Sequence, residues 1–188
     1  MKNPFLKEII SQLDKVSEKV NTNFGHLNIT QLNWKPDSND WSIGQCLDHL
    51  IVTNHQYFPI FESFANGTKR QNIFERMGLL SSVWANLLKK ATQPESKRKV
   101  KTASAFEPSE SAVSDSIIED FLKMNEVLKA IVLKMDSLHL EKIIMSSPIS
   151  NLIVYSLKDA CIILAKHEER HFNQAMEIMK LAAFPKSK

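Results

Sequence analysis

Apolar residues recur at three- and four-residue steps along most of this chain, the repeat of helices that bury one face. From Pro4 to about His26 the stripe is Phe5, Ile9, Leu13, Val16 and Val20, which predicts a first long helix. Pro36, Asp37, Ser38, Asn39 and Asp40 then crowd turn formers into a short connection. Ser42 opens a second helix, its hydroxyl placed to cap free amides while Gln45, three residues on, completes a capping box. This helix is expected to reach about Asn66, with Gly67 as its stop and a kink or local irregularity at Pro59, which has no amide hydrogen to donate.

Phe74 to Lys90 predicts a shorter helix outside the main bundle, with Met77, Leu80, Val83, Trp84, Leu87 and Leu88 apolar. The polar stretch TQPESKRKVKTASAFEPSES reads as a crossover or surface loop, and its basic block Lys97 to Lys101 as a solvated run. A third long helix is expected from about Ser114 to Met135, carrying Ile117, Ile118, Phe121, Leu122, Leu128, Ile131 and Val132, and Pro148 marks the loop after it. Ser156 and Asp159 offer a capping pair for a last helix from Leu157 to about Ala183, ahead of Pro185. The expected fold is all-α: a four-helix bundle with a long crossover and an accessory helix between helices two and three, in one domain spanning residues 1–188.

Composition narrows the function classes. A length of 188 residues with 43% hydrophobic and 24% charged suits one globular domain with a sizeable core. Only 4 glycines argue against nucleotide-binding glycine loops and repeat-built β folds. Lysine and arginine number 24 against 21 acidic residues, a net charge of +3, so no nucleic-acid partner is expected. The opening MKNPFLKEIISQLDKVSEKV is charged throughout and no segment approaches a membrane-spanning apolar run, which leads to the expectation of a soluble, cytoplasmic protein without a membrane partner. Cys46 and Cys161 lie in helix-like patterns and are expected to be reduced thiols. The accessory helix exposes Trp84 and several leucines unless something covers them, so a homodimer and packing on its own bundle are the two expectations.

Polar residues interrupt the last stripe. At about 100° per residue, Leu157, Cys161, Leu164, Ala175, Ile178 and Ala182 share one face. His171 falls within it, His167 beside it one turn earlier, and Glu168 on the same buried side. Such groups need partners. Imidazoles four residues apart project the same way, so a metal ion would satisfy both, and hydrogen-bonded structural histidines are the alternative. The segment HEERH also fits the HExxH pattern of zinc proteases, yet it comes late in the chain with little sequence left for a downstream ligand and no glycine-rich extension. A third ligand decides between these readings. His49, in WSIGQCLDHL, lies to the side of the stripe Ile43, Leu47, Leu50, Asn54 and Phe61, able to reach a seam between helices without being forced there. His55 points elsewhere, and His26 and His139 fall near helix ends, so His49 is the best third donor.

With these segments in view, the chain resembles the DinB-like superfamily of four-helix bundles. WKPDSNDWSIGQCLDHLIVTNHQYF is similar to that family's helix-two signature, a tryptophan-serine pair with a histidine in the second turn, here His49. SLKDACIILAKHEERHFNQAMEIMK is similar to its closing helix, an HxxxH pair with glutamine soon after, here His167 and His171. KVKTASAFEPSES resembles the crossover that precedes helix three. The resemblance implies that His49, His167 and His171 bind a divalent metal, commonly zinc or nickel, with positions open to water or substrate. Some such proteins transfer low-molecular-weight thiols such as bacillithiol, or isomerise substrates with mycothiol.

The leading expectation is therefore a metal-dependent enzyme, in its preferred version a thiol transferase acting on a small-molecule substrate, the ion supplying a nucleophile near neutral pH. A non-catalytic metal- or ligand-binding bundle is the alternative, and a metal-dependent hydrolase the minor one. Glu168 is expected behind the ligands, orienting a histidine or taking a proton, with a buried structural hydrogen bond as the competing role. Asp48 and Glu168 are the nearest carboxylates by sequence for the free ring nitrogens. Cys46, one turn before His49, is read as an apolar-like core residue and not a ligand.

Overall fold

The side chain of Asn3 accepts from the Phe5 amide at 3.1 Å and Pro4 occupies the first turn, so α1 (Pro4–Phe24) starts where its missing amide partner costs nothing. In the computed structural model, which describes residues 2–94, 102–109 and 112–186, this helix buries Leu6, Ile9, Leu13, Val16, Val20 and Phe24. A short α2 (Ile29–Asn33), capped reciprocally by Asn28 and Gln31, occupies part of the connection expected to hold turns alone. The capping box at Ser42 is formed: Gln45 N donates to Ser42 Oγ at 3.1 Å and Ser42 N to Gln45 Oε1 at 3.3 Å. From it α3 (Ile43–Ala65) runs through Pro59 without interruption, so the irregularity expected there does not end the helix.

The expected accessory helix is two helices. α4 (Ile73–Met77) ends at Gly78, whose φ is +59°, and α5 (Ser81–Ala91) begins after Leu80, at φ +63°. A left-handed glycine closes the first helix cheaply, and the chain restarts in a new direction. Among its described residues the crossover carries the 3₁₀ turn Ser104–Phe106, and the basic block Lys97 to Lys101 lies outside the described residues. α6 (Ile117–Lys134) starts three residues later than expected, and α7 (Leu157–Met179) stops before Ala183.

A correction concerns the segment around Pro148. Pro148 does lie in a turn, but the all-α expectation had no strands beside it: β1 (Ile144–Ser147) and β2 (Ser150–Ser156) pair antiparallel, with Met145 opposite Tyr155 and Ser146 opposite Val154. The fold is mostly helical with this small two-stranded sheet. Burial of Met145, Val154 and Tyr155 anchors the hairpin to the helices. Ser156 ends β2 and caps α7, its Oγ accepting from Asp159 N at 3.0 Å.

α1 packs against α6 and α7, and α3 against the same two helices. α5 lies on β2 and α7, and α4 against the hairpin, where buried Glu75 accepts from Ser146 N at 2.9 Å and pairs with Lys69 at 3.0 Å. Two apolar clusters result. One holds Leu13, Phe61, Leu128, Tyr155 and Leu164, and the other Val16, Leu50, Met124, Phe121 and Phe172. Gly44 admits the close approach of α3 to its neighbours, because a Cβ there would stand 2.2 Å from Val113 Cγ2 and 3.1 Å from the Leu32 carbonyl oxygen. Among the described residues no helix is long and apolar enough to cross a membrane.

Candidate metal centre

His49 sits in the second turn of α3, where the Ser42 cap fixes the helix start and so the direction of each following side chain. His167 and His171 lie four apart on α7. Packing of α3 against α7 brings the three rings together: His167 Nε2 stands 3.1 Å from His49 Nε2 and 3.1 Å from His171 Nε2. One ring nitrogen of each lies within 4.8 Å of the others. Nitrogens sharing an ion at about 2.0–2.1 Å stand roughly 3 Å apart, so the spacing fits a common metal.

Burial sets the charge of the cluster. His49 and His171 are buried and His167 half-buried. Burial holds the pKa of His49 below the usual imidazole range, partly offset by its hydrogen bond to the Phe106 carbonyl and by the charge of Asp48. His167 and His171 are pushed well below it, first by burial and then by neighbouring histidines and Arg170. Three neutral imidazoles present lone pairs rather than repelling cations. Their donor set, all nitrogen, suits zinc, nickel and similar divalent ions.

His49 Nδ1 donates to the Phe106 carbonyl oxygen in the crossover, leaving Nε2 as the acceptor that faces the other rings. His171 Nδ1 is buried without a partner of good hydrogen-bond geometry. The indole of Trp41 covers the cluster, its ring centre 4.8 Å from that of His49 and 5.7 Å from that of His171. On the open side the histidines line a cleft of about 1320 Å³ whose walls include Tyr57, Leu88, Phe106, Ile163 and Leu164.

The two carboxylates named from sequence go elsewhere. Asp48 accepts from Ser109, at 2.6 Å from its backbone nitrogen and 2.8 Å from its hydroxyl, and so pins the crossover to α3. Glu168, fully buried, accepts from Asn54 at 2.8 Å and from Asn125 at 3.0 Å. Burial pushes its carboxyl up to about 7 against the opposing effect of the two amides. His26, His55 and His139 are exposed and apart from the cluster. Cys46 is buried in the core, its thiol pushed up to about 12 by burial.

Sequence reasoning missed Trp41 as a ring partner, the Phe106 carbonyl, and the asparagines around Glu168. The asparagines left a signal, since Asn54 and Asn125 each interrupt an apolar helix stripe, and Trp41 stood in the tryptophan-serine pair without its role beside the rings being legible. No curated protein and no solved structure matches the chain. The model of the DinB superfamily matches residues 12–175, a stretch that takes in α3, the crossover and all three histidines. The chain belongs to the DinB superfamily.

Proposed function

We propose that this protein is a divalent-metal enzyme built on a four-helix bundle of α1, α3, α6 and α7, with His49, His167 and His171 as the ligands and zinc or nickel as the ion. The observation that carries the proposal is the convergence of three imidazole nitrogens, His167 Nε2 standing 3.1 Å from each of the other two, at the wall of a cleft. A bound ion of this kind lowers the pKa of a thiol or water toward neutrality. The preferred reaction is transfer of a low-molecular-weight thiol to a small molecule.

The protein's own groups perform the remaining tasks. The Phe106 carbonyl selects the His49 tautomer that keeps Nε2 free, and Trp41 shields two of the rings from one side. Leu88, Ile163 and Leu164 give the cleft an apolar wall against which the carbon skeleton of a substrate packs. Metal analysis of the purified protein beside His49→Ala and His171→Ala tests the site: one divalent ion in the wild type, lost in both variants. Turnover of thiol-transfer substrates that stops on chelation and returns with one metal supports the enzyme. Stable binding without turnover across thiol and hydrolytic substrates supports a metal-binding protein instead.

The assembly we propose is a homodimer. α5 packs on its own chain through Ala85 and the half-buried Trp84 and Leu88, yet Val83 and Leu87 on it, and Leu80 just before it, stay exposed. With Ile73, Met77, Leu79 and Leu152 they form an apolar surface over α4, α5 and the hairpin, each residue more than half exposed. A standard interface takes about 800 Å² from each partner and centres on apolar side chains of this kind.

A further inference from the structure

We propose that Glu168 is a positioning residue for the histidine cluster: with Asn54 and Asn125 it forms a buried polar clamp that fixes α7 against α3 and α6 at the level where His167 and His171 must meet His49. The inference rests on the reading of that cluster as a metal site.

The clamp reaches all four long helices. Glu168 Oε1, on α7, accepts from Asn54 Nδ2 on α3 at 2.8 Å, and Oε2 accepts from Asn125 Nδ2 on α6 at 3.0 Å. Asn125 Nδ2 also donates to Ser17 Oγ on α1 at 2.9 Å. Glu168, Asn54 and Asn125 are each 0% exposed. Both carboxylate oxygens are committed to amides, so Glu168 acts through the helices and not on a substrate.

Its level in the fold is informative. Asn54 lies between Leu50 of one apolar cluster and Tyr57 of the other, Asn125 between Met124 and Leu128, and Glu168 between Leu164 and Phe172. The network thus separates the two halves of the core. Apolar side chains tolerate small slides of one helix along another, because burial is non-directional. Hydrogen bonds to a buried carboxylate do not: a shift of one residue, about 1.5 Å of rise, strands donors and acceptors with no water to replace them. The same two helices carry the ligands. Asn54 is five residues from His49, and Glu168 is the neighbour of His167, so the register the clamp sets is the register of the imidazoles. Metal ligands must be held to within about 0.5 Å, a tolerance that packing alone enforces poorly.

The amide oxygens of Asn54 and Asn125 are buried without partners, which makes the clamp separable from the charge. In Glu168→Gln the new amide donates to one of these oxygens once that asparagine turns over, and the network stays connected. Glu168→Leu cannot do this. The triple variant N54L/N125L/E168L puts apolar side chains in place of the three buried members, with the half-buried Ser17 hydroxyl left as the remaining one, and such replacements are often neutral or stabilising. A residue that served stability alone would therefore show its effect in unfolding and not in the geometry of the metal.

The test is a cobalt(II) titration of the full-length protein, read by visible absorption, on the wild type and these three variants, with urea unfolding beside it. The wild type is expected to bind one ion and Glu168→Gln to match it in affinity and band shape. Glu168→Leu and the triple variant are expected to be weaker by at least about tenfold, with altered bands. If Glu168→Leu does not fold, the triple variant decides. Wild-type affinity and bands in a folded leucine variant overturn the clamp, and so does a Glu168→Gln as defective as the leucine forms. A wild type that binds no cobalt overturns the metal reading and this inference with it.

Discussion

His49 donates its Nδ1 proton to the carbonyl oxygen of Phe106, 57 residues away in the crossover. A side chain in the second turn of one helix is thereby set by backbone that no local pattern ties to it. Nitrogen-15 NMR of the metal-free protein should find His49 neutral with its proton on Nδ1. A proton on Nε2 would contradict the assignment, because that nitrogen faces the other two imidazoles.

Trp41 gives the site an optical reporter. Its ring lies 4.8 Å from that of His49 and 5.7 Å from that of His171, so a quenching ion such as copper(II) or nickel(II) held by the histidines is expected to suppress its fluorescence. Trp41→Phe should abolish most of the quenching while Trp34→Phe and Trp84→Phe retain it. Equal quenching in all three variants would place the ion elsewhere.

The hydroxyls of Tyr57 and Tyr155 meet at 2.8 Å in the core. Tyr57→Phe is expected to cost about 0.5–1.5 kcal/mol in urea unfolding. Burial and the facing phenol hold the Tyr57 pKa well above its ordinary value, and burial raises that of Tyr155. A raised folded pKa means that the unfolded chain loses its proton first. The stability these groups contribute is thus complete below about pH 10 and falls as pH rises above it. Urea midpoints that stay level through that range would count against the buried pair.

Cys46 and Cys161 are buried, and burial pushes both thiols up to about 12. Thiolate is the reactive form. Neither cysteine should react with a disulfide reagent in the native protein at mildly alkaline pH, and both should react in denaturant. Fast labelling of either one in the folded state would show that the core opens or that the thiol belongs to the cleft.

The proposed homodimer is tested by sedimentation equilibrium. The wild type should sediment as a dimer and Leu80→Asp/Leu87→Asp as a monomer with unchanged helical circular dichroism. A wild-type monomer at high concentration would remove the interface. Both side chains are more than half exposed, so the substitutions burden the interface and not the core.

Periodicity alone placed the long helices, because a 3.6-residue apolar repeat needs no partner to be recognised, and the Ser42 and Ser156 caps marked two of their starts. It also put His167 and His171 on one face of α7, since four residues of helix bring two side chains into line. The hairpin was not legible: β1 has four residues, too few to establish an alternation, and its stability comes from Met145 and Tyr155 reaching a core made by other elements. Nor could the wheel bring His49 to the pair, because its position beside the stripe allows either a seam or solvent, and the packing of α3 on α7 decides. The same holds for Glu168. Its burial followed from its place on α7, but its partners lie 114 residues away at Asn54 and 43 away at Asn125. A sequence shows that a buried carboxylate needs donors, and only the registry of three helices determines which ones it finds.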